Sequence, residues 1–149
     1  VYKRQIKKLV ECVSKGGNYL LNIGPDANGV IPPRAAETLE EIGRFMRVNG
    51  QSIYGCTQSV VPKPEWGRIT QKGNELYLHV YENTLGPLPL FGINAQDIDS
   101  IRQLSDGREI PLSHSWVHSD YPDMAFADLG PDPTLVDGTD TVLKLTLKE

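Results

Sequence analysis

The chain has 149 residues, 39% of them hydrophobic and 23% charged, with a formal net charge of -4. Such a chain can bury the core of one ordinary domain or two small ones, and its composition is that of a folded globular protein rather than a disordered tail. The acidic balance gives no electrostatic basis for binding nucleic acid or an anionic membrane, and no apolar run approaches the roughly 20 residues that span a bilayer.

The N-terminal "VYKRQIKKLVECV" is too charged, and its apolar part too short, for a signal peptide. It carries no initiator Met and opens directly inside a helical pattern, which fits a fragment, a processed chain or an engineered boundary. Ile6, Leu9, Val10 and Val13 fall at i, i+3, i+4 and i+7, predicting a helix over about Lys3 to Lys15 that Gly16-Gly17 stops. Cys12 lies beside that apolar stripe and reads as a buried thiol. Cys12 and Cys56 form neither a disulfide framework nor a metal-ligand spacing, so the compartment stays open.

Tyr19 to Ile23 then reads as a short strand, apolar and β-prone except for Asn22. An amphipathic helix follows Pro32-Pro33, with Ala36, Leu39, Ile42, Gly43 and Met46 as its stripe. Glu37, Glu40 and Glu41 occupy its first half and Arg44 and Arg47 its second, as the helix dipole favours, and Asn49-Gly50 closes it. A strand buried on both faces belongs inside a parallel sheet. Its neighbours are not in this sequence, so another polypeptide or further copies of the chain are expected to supply them.

After Cys56 the texture changes. "VVPKPEW" is a proline-punctuated linker, and beyond it come alternating runs at "WGRITQ", "NELYLHVY", "LPLFGI", "IDSIRQL", "REIPLS", "MAFADL" and "TVLKLTLK". Period two with turn signals between the runs predicts an antiparallel sandwich. The division falls between residues 1–58 and 59–149.

Two local clusters offer residue types with chemistry of their own. His114 and His118, four apart, have metal-ligand spacing on a helix, but Pro122 and the serines around them favour a solvated loop. "GPDANG" lacks both the ending of a phosphate-binding P-loop and dinucleotide spacing. Trp66, Tyr77, Tyr81, Trp116 and Tyr121 are sugar-stacking residue types, although isolated aromatics in a sandwich more often pack a core or a domain interface. Trp66, beside the linker, is expected to pack the sandwich onto the preceding part.

The stretch from Leu9 to Cys56 resembles the end of the catalytic barrel in α-L-fucosidases of glycoside hydrolase family 29. The resemblance rests on Val13 to Gly17, on "NYLLNIGP" from Asn18 to Pro25, on the turn Asp26 to Gly29, on Pro32 and the helix Arg34 to Arg47, and on "VNGQSIYG" from Val48 to Gly55. Gln51 departs from the Glu usual there. The later strands match only in general character. The resemblance implies the last helix–strand–helix of a (β/α)8 barrel followed by a C-terminal β-sandwich, in an enzyme that hydrolyses terminal α-L-fucosyl residues of glycans with retention. It implies no cofactor and no metal. Retaining glycosidases use two carboxyl groups about 5–5.5 Å apart, and in the family both lie upstream of the "NIGP" strand, so no residue here is assigned a catalytic role.

In a barrel the strand ends and the loops after them form the active-site face. That makes Asn22 and Asp26 the candidate substrate-binding residues, with a structural, loop-tying role favoured for Asn22 and turn chemistry for Asp26. The expected partners are a fucosylated glycan and either the complementary N-terminal barrel segment or other copies of the chain. The alternative is a non-catalytic carbohydrate-binding or oligomerisation module built on the sandwich.

Overall fold

In the computed structural model, which describes residues 1–82, 84–114, 120–131 and 138–148, two helices precede seven strands. Helix α1 spans Tyr2–Ser14 and α2 spans Pro33–Asn49. The strands are β1 (Thr57–Gln58), β2 (Gly67–Lys72), β3 (Glu75–Val80), β4 (Leu88–Phe91), β5 (Ile98–Gln103), β6 (Met124–Ala127) and β7 (Thr141–Leu147). All ladders are antiparallel: β1-β2-β3-β7-β5 form one sheet and β4-β6 a second.

Helix α1 ends as its sequence predicts. Gly16 adopts φ 73°, the Gly16 N–H donates to the Val13 carbonyl and the Gly17 N–H to the Cys12 carbonyl, both at 2.8 Å. That pair of bonds satisfies carbonyls the helix leaves open. Helix α2 ends differently from expectation. Gly50 stays right-handed at φ -58° and leads into a 3-10 turn over Gly50–Ser52, and the left-handed glycine comes only at Gly55.

The predicted strand over Tyr19–Ile23 does not form: residues 17–26 carry no ladder, and Leu20 is 86% exposed. A strand is defined by pairing, and no described segment presents a free edge beside it. "REIPLS" likewise contributes only isolated bridges, Arg102 with Glu109 and Leu112 with Ala127. Elsewhere the alternation translates directly. Gly73 at φ 60° takes the first central position of the turn between β2 and β3, which sets Lys72 opposite Glu75 and so Ile69 opposite Leu78. Leu78 in turn pairs with Leu143.

One face of the larger sheet (Ile69, Leu76, Leu78, Ile101, Leu143 and Leu145) packs on Leu88, Leu90, Ala125 and Ala127 of the smaller sheet. Trp66 belongs to this core rather than to an interface with the preceding part: it is 4% exposed, and its indole N–H donates to the Pro89 carbonyl at 2.9 Å. A buried indole needs such a partner. The linker residue Pro64 is buried beside it.

The opposite face of the sheet is not solvated. Alternation along β3 puts Tyr77 and His79 there, yet they are 1% and 0% exposed. The helical layer covers them: Glu11 of α1 bonds Arg68 of β2 at 3.1 Å, and the Ser52 carbonyl accepts from the Thr70 hydroxyl at 2.7 Å. A second apolar cluster (Ile6, Val10, Val13 and Ile53) takes in Ile42, Phe45, Met46 and Cys56, with Tyr81 reaching it from the sandwich side. Cys12 is half-buried at the edge rather than inside.

Candidate functional site

The segment after α1 holds both candidate substrate-binding residues, and the structure separates them. The Tyr19 hydroxyl donates to the Gln5 side-chain carbonyl, anchoring the segment's start to α1. Asp26 is occupied by its own turn: its Oδ1 accepts the N–H groups of Asn28 at 2.8 Å and Val30 at 2.9 Å. Its N–H donates to the Val30 carbonyl at 2.9 Å, and Gly29, at φ 79°, donates to the Asp26 carbonyl at 3.0 Å. This is an aspartate closing a turn through local backbone bonds. Asn22 is exposed and lines an open cavity of about 330 Å³ between the N-terminal ends of α1 and α2, together with Gln5, Leu21, Ile23, Arg34 and Thr38. Asp26 does not reach that cavity.

The other candidates thin out. His114 is exposed, whereas His118 and Trp116 lie outside the described residues. Among the described residues no group of three or more His, Cys, Asp or Glu side chains has metal-holding geometry, and no helix is long and apolar enough to cross a membrane. Of the sugar-stacking types, Trp66 and Tyr77 are buried and Tyr81 is largely so, leaving Tyr121, 50% exposed.

The most polar buried constellation was not read from the sequence. His79 Nδ1 lies 2.7 Å from Asp140 Oδ2, and its Nε2 lies 3.3 Å from Thr70 Oγ1. All three residues are 1% exposed or less. The order hydroxyl, imidazole, carboxylate matches a nucleophile–base–acid array. However, no substrate can approach it, and the Thr70 proton is directed to the Ser52 carbonyl. The Ser52 hydroxyl continues the chain of bonds to the Asn49 carbonyl at 2.7 Å. This network joins the end of α2, the 3-10 turn, the sheet and the start of β7. The hairpin register sets Arg68 opposite His79, which the turn residues foretell. Asp140, 61 positions away, carries no local signal.

Beside the network, burial holds the Tyr81 phenol well above its ordinary range, reinforced by the Asp140 charge. Burial, then the hydrogen bond to Glu75, does the same for Tyr77. Below pH 10 both phenols are neutral folded or unfolded, so their contribution is fully present. As pH rises past 10 the unfolded chain ionises first and stability falls. We expect the urea midpoint to decline steadily between about pH 10 and 12, with a visibly flatter decline in the Tyr77→Phe/Tyr81→Phe double variant.

Comparison with known proteins agrees with this architecture. Residues 2–51 match the family model for α-L-fucosidase. The human tissue α-L-fucosidase is 40% identical over 87 residues, covering 52% of this chain and 18% of that protein. The rat tissue enzyme is 51% identical over 49 residues, covering 33% and 11% respectively. Among solved structures, α-L-fucosidase isoenzyme 1 from Paenibacillus thiaminolyticus superposes on all of the chain with TM-score 0.93 at 46% identity. The chain spans 35% of that bacterial enzyme and less than a fifth of the two mammalian relatives. The helical layer on an antiparallel sandwich is thus shared with that bacterial enzyme over the whole length of this chain. These matches make the chain similar to a part of the α-L-fucosidases.

Proposed function

We propose that the chain is the C-terminal portion of a retaining α-L-fucosidase acting on terminal α-L-fucosyl residues of glycans. In this reading residues 1–58 end the (β/α)8 catalytic barrel, residues 59–149 are the sandwich, and the nucleophile and acid/base precede the chain. The observation that carries the reading is the superposition at 46% identity over the full chain, across only 35% of the bacterial enzyme.

The engagement of several of the local carboxylates supports an upstream catalytic pair. Asp26 closes its turn, Glu11, Glu41 and Glu75 sit in ion pairs, and Asp140 is buried. Exposed Leu20, Ile23, Val30 and Ile31 support a covering polypeptide over residues 19–31, which we assign to the complementary barrel segment in preference to copies of the chain. Asn22 and the turn set by Asp26 then belong to the rim of the sugar site.

The test is hydrolysis of an aryl α-L-fucoside by the chain alone and by the chain with its complementary N-terminal segment. Turnover only in the presence of the complement is expected. Turnover by the chain alone would refute the upstream placement, and none in either mixture would refute the fucosidase reading. In the active mixture, Asn22→Ala should raise KM by about three- to tenfold, the loss of one hydrogen bond of about 1 kcal/mol.

A further inference from the structure

Helix α1 carries its charge in the order the helix dipole disfavours. Its first two turns carry Lys3, Arg4, Lys7 and Lys8 and no acidic residue. Cations are disfavoured at a helix N-terminus, and Lys3/Lys7 and Arg4/Lys8 are like-charge pairs at i,i+4. None of the four has an acidic partner among the described residues. On a chain of net charge -4 this is a concentrated positive patch.

The exposed patch borders an open cleft. Lys3, Arg4, Lys7 and Lys8, with Glu11 one turn further on, line one wall of a cavity of about 460 Å³ whose other wall is Tyr81, Gly138 and Thr139 of the sandwich. Lys3 Nζ spans it to donate to the Gly138 carbonyl at 3.1 Å, and Lys7 Nζ sits 4.6 Å from the Tyr81 ring centroid. The nearby carboxylates are already engaged: Glu11 by Lys15 at 2.7 Å and Arg68 at 3.1 Å, and Asp140 through Oδ2 by His79. An entering anion therefore meets four cations with no acidic partner among the described residues, and one carboxylate, Glu11, whose charge is already offset by Lys15 and Arg68.

We propose that this cleft between α1 and the β3–β7 end of the sheet binds an oxyanion: a sulfate, phosphate or carboxylate group, free or carried on a glycan. Ammonium and guanidinium donors suit tetrahedral and planar oxyanions through charge-assisted bonds. The site is independent of the fucosidase reading, because none of its residues belongs to the Asn22 cavity.

The test titrates the intact protein with inorganic sulfate, inorganic phosphate and a sulfated oligosaccharide, each at matched ionic strength in chloride, by calorimetry and amide chemical shifts. The desulfated oligosaccharide serves as control. Saturable binding is expected, weakened at least about tenfold by Lys7→Gln/Lys8→Gln and unchanged by Lys72→Gln on the far hairpin. Equal affinity for ion and oligosaccharide identifies a free anion as the occupant, and tighter binding of the oligosaccharide identifies a glycan-borne group. The proposal is overturned if none of the three binds, or if Lys7→Gln/Lys8→Gln binds as the parent does. Fucoside turnover is not a readout here, so the failure of either proposal leaves the other standing.

Discussion

Replacing Asp140 with alanine is expected to destabilise the chain by about 3 kcal/mol, because it strands a buried imidazole that has no other partner for Nδ1. Both side chains are fully excluded from solvent, and the bond between them is 2.7 Å long. Asp140→Asn should cost less, since its amide oxygen still accepts from an Nδ1–H, although one of its carboxylate oxygens already lacks a partner among the described residues. The informative measurement is a double-mutant cycle with His79→Ala by urea denaturation. A coupling energy of about 1 kcal/mol or more supports a bonded unit. Strict additivity would show that the two residues act separately.

The second large effect concerns Gly67. A Cβ built there would lie 1.8 Å from the His79 carbonyl oxygen and 3.0 Å from its carbon. Those are backbone atoms of the central strand, so Gly67→Ala is relieved only by parting β2 from β3. We expect a loss of about 3 kcal/mol, at the upper end of overpacking costs, with amide-exchange protection falling first along β2. Gly73→Ala is the control. Its Cβ would meet nothing, and only the positive φ of 60° is penalised. That penalty is about 1 kcal/mol. If the two variants prove equally stable, close approach at Gly67 is not what sets the residue there.

The sandwich was legible in the sequence because its information is local. Leu76, Leu78 and Val80 alternate along one strand, and the Gly73 turn fixes which residues of β2 they meet. The same alternation misleads about β3's other face. Tyr77 and His79 look like an outward row, and only the packing of α1 and the 3-10 turn, brought from more than 20 positions upstream, buries them. Residues 19–23 fail for the complementary reason: their composition encodes a strand, but strand formation needs partners the described residues do not offer. Within the candidate site, the Asp26 turn was readable as turn chemistry from Asp, Asn and Gly spacing. The cavity beside Asn22 was not, because it arises from where the two helix starts meet. His79 with Asp140 joins positions 61 apart, and no pattern of period two or 3.6 reports such a bond.

The buried second face of the sheet bears on how such a chain can be recombined. Composition changes at the proline segment, and that is where a graft between relatives would naturally be cut. A cut there would sever the Thr70–Ser52 and Arg68–Glu11 bonds and open the His79 row to water. A sandwich transplanted from one relative to another therefore has to travel with α1 and the 3-10 turn that roof it. The unit of inheritance is the sheet together with its helical cover, so a breakpoint that keeps them together lies ahead of α1, not at the proline segment and not between the two helices.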